Sequence, residues 1–252
     1  MNELQLHGYF VLTIFVAAAM TFVALFFVTA PYGRYLRAGW GPTVPARVGW
    51  IVMESPAVLL FIYVYSLGDH ALNTVPLALL GLWQFHYVYR TFIYPFRIRK
   101  TAHRMPVSIV GMAILFNCIN AYINARWISH LGDYADSWLL GPAFLLGVTV
   151  FLLGWVINQH SDLILFRLRG PGEKGYKIPQ GGMYKTVSCP NYLGEMLEWI
   201  GWAIAAWSMA GLAFAVFSIA NLLPRAIANH HWYRREFSDY PAERKAVVPY
   251  LL

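Results

Sequence analysis

Long apolar segments alternate with shorter polar connections along the whole chain. Seven segments have this character, at residues 8–29, 49–67, 74–95, 105–124, 139–158, 192–209 and 211–230. A helix needs about 20 predominantly apolar residues to span the hydrocarbon core of a bilayer. The pattern therefore predicts an all-α integral membrane protein with about seven transmembrane helices.

Lysine and arginine are unevenly divided between the connections. Four connections are basic, at residues 30–48, 96–104, 159–191 and from Arg234 onward. The alternate connections, at residues 68–73, 125–138 and 209–211, contain one basic residue between them, Arg126. Because cytoplasmic loops carry the excess of basic residues in membrane proteins, we expect the N-terminus to lie outside and the C-terminus in the cytoplasm.

Composition agrees with a membrane location. The chain has 252 residues, of which 58% are hydrophobic and 12% are charged, whereas a soluble domain has about 25% charged residues. The net charge is +7 and the pI is about 9.4. Neither a long basic run nor zinc-ligand spacing accompanies this charge, so we expect an anionic cofactor, no nucleic-acid partner and no metal.

A single membrane domain, residues 1–252, accounts for these features, since no internal repeat is present. The N-terminus has no basic n-region or cleavage site, so we expect the first helix to be retained. Cys118 and Cys189 belong to no CxxC motif. We expect both to be free thiols that are buried or interfacial.

The longest polar connection, residues 159–191, is the candidate for a cofactor-binding loop. It is basic and leads into a segment that contains Glu195 and Glu198, which suggests a site for a large charged ligand. Residues 170–175 fit the pattern GxGxxG, but that dinucleotide motif needs a strand before it and a helix after it. We therefore expect a flexible turn there, which excludes a Rossmann fold but not a nucleotide bound to this loop. Residues 231–252 are predicted to dock as a cytoplasmic cap.

One acidic residue, Glu54, lies inside the second segment, two residues before Pro56. An ionised side chain near the bilayer centre costs about 3 kcal/mol. Glu54 is therefore either a structural residue paired with an arginine or tyrosine, or a group that handles protons in an apolar pocket.

The third segment carries a stripe of polar aromatic residues. Tyr87, Arg90 or Thr91, and Tyr94 recur at helical spacing on the face of Trp83. Such a stripe is often interfacial packing, but these hydrogen-bond donors are not needed for stability inside a membrane. His86 lies one residue off this face, and a lone histidine is more often a core residue than a ligand.

The fourth segment has three asparagines, Asn117, Asn120 and Asn124, on one helical face. Hydrogen bonding between helices explains them adequately.

Polar side chains next to the long loop also follow helical spacing. Asn158 and Asp162 are four residues apart, and Arg169 extends the same side if the helix continues. An aspartate beside ribose hydroxyls and an arginine beside phosphate would suit a nucleotide.

The sixth segment places Asn191, Glu195 and Glu198 on one face. Two acids on a buried face need partners, and Arg225 in the last segment is the expected partner of Glu195 or Glu198.

Several segments together resemble the steroid 5α-reductase family. They are APYGRY (30–35), GWIVMESPA (49–57), QFHYVYRTFIYPF (84–96), NQHSDLILFRLR (158–169), GYKIPQGGMYKTVSCPNYLGEMLEWIGWAIA (175–205) and RAIANHHWYRREFSDYPAERKAVVPYLL (225–252). The C-terminal signatures also resemble, more loosely, enoyl-CoA reductases, sterol reductases and isoprenylcysteine methyltransferases. The segments around Glu54 and Tyr87 favour the steroid group.

The resemblance implies a seven-helix enzyme that reduces the Δ4 double bond of 3-oxo steroids with NADPH. Glu54 and Tyr87, hydrogen-bonded to each other, match the pair that binds the 3-keto oxygen. The cofactor-contacting positions that it implies are Asn158, Asp162, Arg169, Tyr176, Lys177, Asn191, Glu195, Arg225 and Tyr233, with Tyr32, Arg90 and Tyr94 as weaker matches. Lys177 stands where the human-type enzymes have an arginine, and Asn229 stands where they have a histidine. A role that depends on this histidine ring is therefore not expected to carry over.

Three other functions fit parts of the sequence. A trans-2-enoyl-CoA or other lipid reductase would use the same hydride chemistry, and a membrane methyltransferase would use S-adenosylmethionine. A sterol-binding protein without activity is the non-enzyme alternative. We expect a monomeric, multi-pass protein that takes a steroid-like substrate from the bilayer, in a bacterial inner membrane or, in a eukaryote, in the endoplasmic reticulum.

Overall fold

The apolar segments fold as helices in a computed structural model that describes residues 2–98, 104–168, 170, 173 and 175–252. The helices are α1 (Glu3–Phe27), α2 (Ala46–Ser66), α3 (Thr74–Val88), α4 (Tyr94–Arg97), α5 (Val107–Arg126), α6 (Pro142–Arg167), α7 (Pro190–Ala206) and α8 (Met209–Glu236). Each predicted apolar segment is thus helical. Helix α6 continues beyond the predicted end at residue 158, so Asp162 is part of it.

Five of these helices are long and apolar enough to cross a bilayer. They are α1, α2, α5 with its extension to Leu131, α6 and α8. Helices α3 and α7 have 15 and 17 residues, fewer than the roughly 20 that a straight span takes. The chain is therefore mostly helical, which agrees with an all-α, multi-pass membrane protein, whereas the number of seven spans stays a prediction.

Local sequence signals explain where several helices begin. Asn2 and Gln5 form a reciprocal capping box at the start of α1, and Pro142 and Pro190 are the first residues of α6 and α7. Helix α7 ends at Trp207 in the left-handed conformation, with φ of 44°, and Ser208 caps α8. This tight connection makes α7 and α8 direct neighbours.

Three-residue strands and wide helical turns were not predicted. Strand β1 (Thr43–Pro45) pairs with β2 (Arg104–Pro106) in antiparallel fashion and joins the starts of α2 and α5. Residues Tyr89–Ile93 and Trp127–Leu131 form π-helical turns after α3 and α5. Each π turn adds one residue to a helical turn and shifts the face that the following side chains occupy.

Aromatic side chains fill the centre of the bundle. The ring of Trp83 lies 4.4 Å from that of Phe61, and the ring of Trp199 lies 4.2 Å from that of Phe214, between centroids. In contrast, α1 exposes Leu12, Val16, Met20, Val23 and Phe27. An exposed apolar face of this kind suits contact with lipid.

Residues after α8 dock onto the end of the long loop. The backbone N–H of Ser188 donates to the carbonyl of Lys245 at 2.8 Å. Arg244, only 3% exposed, donates to the carbonyl of Pro179 at 3.0 Å. Docking of the C-terminal segment agrees with the expectation, but residue 231 lies inside α8, so the non-helical part begins at Phe237.

The two cysteines are free, Cys189 buried and Cys118 half-buried, as expected. Burial raises the pKa of the Cys189 thiol to about 12, so this thiol stays protonated at neutral pH.

Candidate active site

A cavity of about 330 Å³ lies inside the bundle, and we call it the inner cavity. Its apolar lining includes Met112, Phe116 and Phe217. Its polar lining includes Thr21, Tyr32, Glu54, His86, Tyr87, Arg90, Asn117, Tyr192, Glu195, Ser218, Asn221 and Arg225. Side chains from six helices, α1, α2, α3, α5, α7 and α8, and from the segments between them therefore converge on one space with an apolar and a polar lining.

Glu54 is carried by a part of α2 that Pro56 leaves short of one backbone donor. Side chains of neighbouring helices donate to carbonyls in this region. Trp83 Nε1 donates to Ala57 at 2.8 Å, and Asn117 Nδ2 donates to Met53 at 2.7 Å. Asn117 Nδ2 also lies 3.3 Å from the Glu54 carboxylate. Helix α5 thus fixes both the backbone and the side chain at Glu54.

Tyr87 lies on the same cavity wall and is 4% exposed. Its ring packs between Trp83 and Trp199, with centroid distances of 4.9 and 5.4 Å. Among the described residues no hydrogen bond joins Tyr87 to Glu54. The predicted hydrogen bond between them is therefore wrong. The two side chains line the same cavity, and the Glu54 carboxylate accepts a hydrogen bond from Asn117 instead.

Arg90 connects three elements from within the π turn at Tyr89–Ile93. Its Nη2 lies 3.5 Å from Glu195 Oε2, and its Nη1 lies 4.0 Å from Asp162 Oδ2. Its Cζ lies 4.3 Å from the centroid of the Tyr94 ring. From the π turn Arg90 thus reaches α6 and α7, while α4 presents Tyr94.

Helices α6 and α7 approach each other closely through glycines. A β-carbon added at Gly154 would lie 2.5 Å from the carbonyl oxygen of Gly194. This approach brings the polar ends of the two helices into contact. Asn158 Nδ2 donates to the carbonyl of Asn191 at 3.0 Å, and Asn191 Nδ2 donates to Asp162 Oδ1 at 3.2 Å.

The expected pairing of Arg225 with a glutamate of α7 is wrong. Arg225 donates to the Tyr192 hydroxyl at 3.1 Å and to Asn221 Oδ1 at 3.4 Å. Glu195 instead pairs with Arg90, and Glu198 Oε2 lies 2.6 Å from His86 Nδ1. Helix α3 and the π turn that follows it, rather than α8, supply the partners of the two acids.

A second cavity of about 330 Å³, the outer cavity, adjoins the first one. The two share four lining residues, Ala30, Tyr32, Tyr192 and Arg225. The remaining polar lining of the outer cavity is Thr29, Arg34, Tyr35, Tyr94, Tyr176 and Asn229. Arg225 therefore lies where the two cavities meet.

Arg34 makes fewer hydrogen bonds to described residues than Arg225, the other arginine that lines the outer cavity. Its Cζ lies 4.2 Å from the Trp232 ring and 4.9 Å from the rings of Tyr176 and Tyr233. Its Nη2 donates to the Tyr233 hydroxyl at 3.4 Å. Its Nη1 is buried without a hydrogen-bond partner in the part of the chain that the structure describes. A buried donor of this kind suits an anionic oxygen of a ligand.

The sequence-predicted site residues differ in where the structure places them. Residues that line one or both cavities are Tyr32, Glu54, Tyr87, Arg90, Tyr94, Tyr176, Glu195 and Arg225. Asn158, Asp162 and Asn191 form the adjoining α6–α7 cluster, and Tyr233 lies behind Arg34. Lys177 is exposed and pairs with Glu173 at 2.6 Å. Arg169 lies outside the described residues.

Four residues of the site were undervalued or missed. Asn117 had been assigned only to hydrogen bonding between helices, which its bond to Met53 confirms. His86 had been assigned to the core, Glu198 to a different partner, and Arg34 only to a basic loop. The position of Asn117 in the middle of a predicted span is a usable signal, because a polar group inside a membrane needs a hydrogen bond. No local pattern marks His86 as the partner of Glu198, 112 residues away.

Known proteins of one kind match this chain over most of its length. A family model described as 3-oxo-5-alpha-steroid 4-dehydrogenase matches residues 103–252. Steroid 5-alpha-reductase DET2 of Gossypium hirsutum is 42% identical over 255 aligned residues, which cover 99% of this chain and 99% of the relative.

Mammalian relatives match nearly as completely. The 3-oxo-5-alpha-steroid 4-dehydrogenase 1 of Homo sapiens is 44% identical over 222 residues, covering 87% of this chain and 85% of the relative. The corresponding protein of Rattus norvegicus is 42% identical over 237 residues, covering 93% and 91%. These similarities confirm the resemblance drawn from the sequence motifs, and the chain belongs to the 3-oxo-5α-steroid 4-dehydrogenase (steroid 5α-reductase) family.

Proposed function

We propose that this protein reduces the Δ4 double bond of 3-oxo-Δ4 steroids to 5α-dihydro products with NADPH. The observation that carries the proposal is the inner cavity, where the paired candidates Glu54 and Tyr87 lie on the wall of a space that also has an apolar lining. A rigid apolar ligand with one carbonyl oxygen fits such a space, because a few polar groups fix the orientation of a ligand in an apolar pocket.

The residues of the outer cavity fit a dinucleotide phosphate. Arg34 offers a buried nitrogen without a partner, and Arg225 lies where the two cavities meet. The rings of Tyr32, Tyr94 and Tyr176 surround the space between them. In this proposal Arg34 and Arg225 bind the phosphates, and the cluster of Asp162 and Asn191 supports the wall beside them. When bound, NADPH supplies the hydride that reduces C5.

Tyr87 and Glu54 act on the substrate carbonyl. The Tyr87 hydroxyl donates to the C3 oxygen and withdraws electron density from the conjugated enone, which makes C5 electrophilic. The same donor stabilises the negative charge that develops on the oxygen, and a preorganised donor of this kind contributes about 3–4 kcal/mol to lowering the barrier. Asn117 holds the Glu54 carboxylate at the cavity wall. The aromatic packing around Tyr87 fixes the donor before the substrate binds.

The arrangement in the membrane is part of the proposal. In this proposal the basic connections lie in the cytoplasm, so the N-terminus is outside, the cofactor side is cytoplasmic, and α3 and α7 complete seven spans. A water-soluble nucleotide then enters the outer cavity from the cytoplasm, and a steroid enters from the lipid. The choice between a bacterial inner membrane and the endoplasmic reticulum stays a prediction, as does a monomeric state.

The decisive experiment follows NADPH absorbance with the detergent-solubilised protein. A 3-oxo-Δ4 steroid should cause NADPH oxidation, and mass spectrometry should show a product heavier by two hydrogen atoms. The matched control is the same steroid without the Δ4 bond, which should cause none. Oxidation with a trans-2-enoyl-CoA alone would make the protein a different lipid reductase. Binding of S-adenosylmethionine but not NADPH would contradict reductase activity altogether.

A further inference from the structure

Two buried titratable side chains next to Tyr87 are not used by the chemistry proposed above. His86 is 5% exposed and Glu198 is 0% exposed. His86 Nδ1 lies 2.6 Å from Glu198 Oε2. A buried carboxylate needs a partner that carries or shares a proton, and at this distance the imidazole supplies it. The pair therefore holds an exchangeable proton whether it is written as imidazolium and carboxylate or as imidazole and carboxylic acid.

The pair is fixed and has access to the inner cavity. The His86 ring packs against Trp199 and Tyr87 in edge-to-face geometry, at centroid distances of 4.5 and 5.1 Å. His86 lines the inner cavity beside Tyr87. Its Nε2 makes no hydrogen bond with any described residue, so one ring nitrogen is bonded to Glu198 and the other is free to meet a ligand.

Charged and titratable groups surround this histidine. Glu54, Glu195 and Arg90 lie on the same cavity wall, from α2, α7 and the π turn, and Tyr87 is adjacent. Glu195 is paired with Arg90, and Glu54 is bonded to Asn117. Among these side chains, the His86–Glu198 pair is the one in which a proton can move along an existing short contact.

Reduction of the Δ4 bond requires a proton at C4 in addition to the hydride at C5. We propose that the His86–Glu198 pair delivers this proton from His86 Nε2 to C4 of the steroid. The inference rests on the proposed function, because it assigns a donor to a step that the reductase reaction contains. It separates two tasks: Tyr87 stabilises the oxygen, and His86 protonates the carbon.

The step balances within the pair and the steroid. The electron pair of the enolate forms the new C4–H bond, and the His86 Nε2–H bond breaks. His86 ends as a neutral imidazole with its proton on Nδ1, and Glu198 ends as a carboxylate that accepts from it. This end state is the same for both starting forms of the pair. No oxidant or reductant takes part in this step, and water returns the proton after product release.

The reverse of this step can be measured without any reduction. A saturated 3-oxo-5α-steroid is incubated in D₂O with the protein and NADP⁺, and deuterium at C4 is followed by NMR. Exchange at C2 of the same molecule reports the rate in solution. The parent protein should accelerate exchange at C4 well above that at C2.

Glu198→Gln keeps the size of the side chain but cannot take part in proton transfer. We expect this variant to lower C4 exchange at least tenfold while the steroid dissociation constant changes less than about twofold. The matched control is His130→Gln, since His130 also contacts a carboxylate, Asp69, at 3.1 Å, outside the cavities. His130→Gln should exchange at the parent rate.

Each outcome decides the proposal. Parental C4 exchange in Glu198→Gln overturns it, and so does a loss of exchange that merely follows a loss of steroid binding. If Glu198→Gln does not bind NADP⁺, His86→Ala replaces it, and added imidazole should restore C4 exchange to a folded protein; no restoration overturns the inference. A parent protein that reduces the enone without accelerating C4 exchange refutes this inference alone. A parent protein that does not reduce the enone refutes the proposed function as well.

Discussion

The side-chain amide of Asn117 lies 3.3 Å from the carboxylate of Glu54 and holds it at the wall of the inner cavity. The same nitrogen donates to the Met53 carbonyl at 2.7 Å. Asn117→Leu should therefore lower kcat about tenfold and cost about 1–3 kcal/mol of stability, because buried acceptors lose their donor. Steady-state kinetics and thermal unfolding measure the two effects. The control is Cys118→Ala, at the next residue of α5, which should change neither kcat nor stability. Equal losses in the two variants would contradict a specific role of Asn117.

Glu54→Gln and Tyr87→Phe test the carbonyl-binding pair. Each removes one polar group and keeps the shape of the side chain, so each should lower turnover about 100-fold or more while NADPH binding is largely retained. Turnover and fluorescence titration with NADPH measure these quantities separately. Tyr63→Phe is the control, because Tyr63 is exposed on α2. Near-normal turnover in both variants would exclude Glu54 and Tyr87 from the chemistry.

Arg34→Gln tests the unpaired guanidinium nitrogen of the outer cavity. We expect the NADPH dissociation constant to rise about tenfold, or about 1.4 kcal/mol, because a charge-assisted hydrogen bond to an anionic oxygen is lost. Steroid binding should be little affected. The matched variant is Arg234→Gln, which removes an exposed arginine from α8. A larger effect on steroid binding than on NADPH binding would show that the two ligands have been assigned to the wrong cavities.

Gly154→Ala tests the close approach of α6 and α7. The added β-carbon would lie 2.5 Å from the Gly194 carbonyl oxygen and 2.6 Å from the Glu198 backbone nitrogen. The helices must separate, so the melting temperature should fall by an amount that corresponds to about 1–3 kcal/mol. Gly81→Ala is the matched change in α3, where nothing lies within 4 Å of the new atom. It should be neutral or slightly stabilising. Equal melting temperatures for the two variants would contradict the packing argument.

The helices and the approximate site were predictable from sequence for clear physical reasons. Apolar runs of membrane length form helices because every backbone group must be bonded internally, and ionisable residues within them point to function. Glu54 and Tyr87 were found by this reasoning together with the family motifs. Their shared cavity agrees with it.

The partners of individual side chains were not predictable in the same way. Helical spacing assigns Glu195 and Glu198 to one face of α7, but it does not reveal which neighbouring helix that face meets. Arg225 was therefore chosen as their partner, although α3 supplies His86 and the following π turn supplies Arg90. The π turn at Tyr89–Ile93 has no recognisable sequence signal either.

The docking of residues 244–246 on the end of the long loop has a consequence for biosynthesis. Ser188 is bonded to Lys245, which is 57 residues further along the chain. A ribosome that adds about 5–20 residues per second makes the second partner several seconds after the first, and all of α8 must emerge between them. The contact between the end of the long loop and the C-terminal segment can thus form only after α7 and α8 have been made. Substitution of Arg244 is therefore expected to lower the amount of mature protein in the membrane more than the kcat of the protein that does mature.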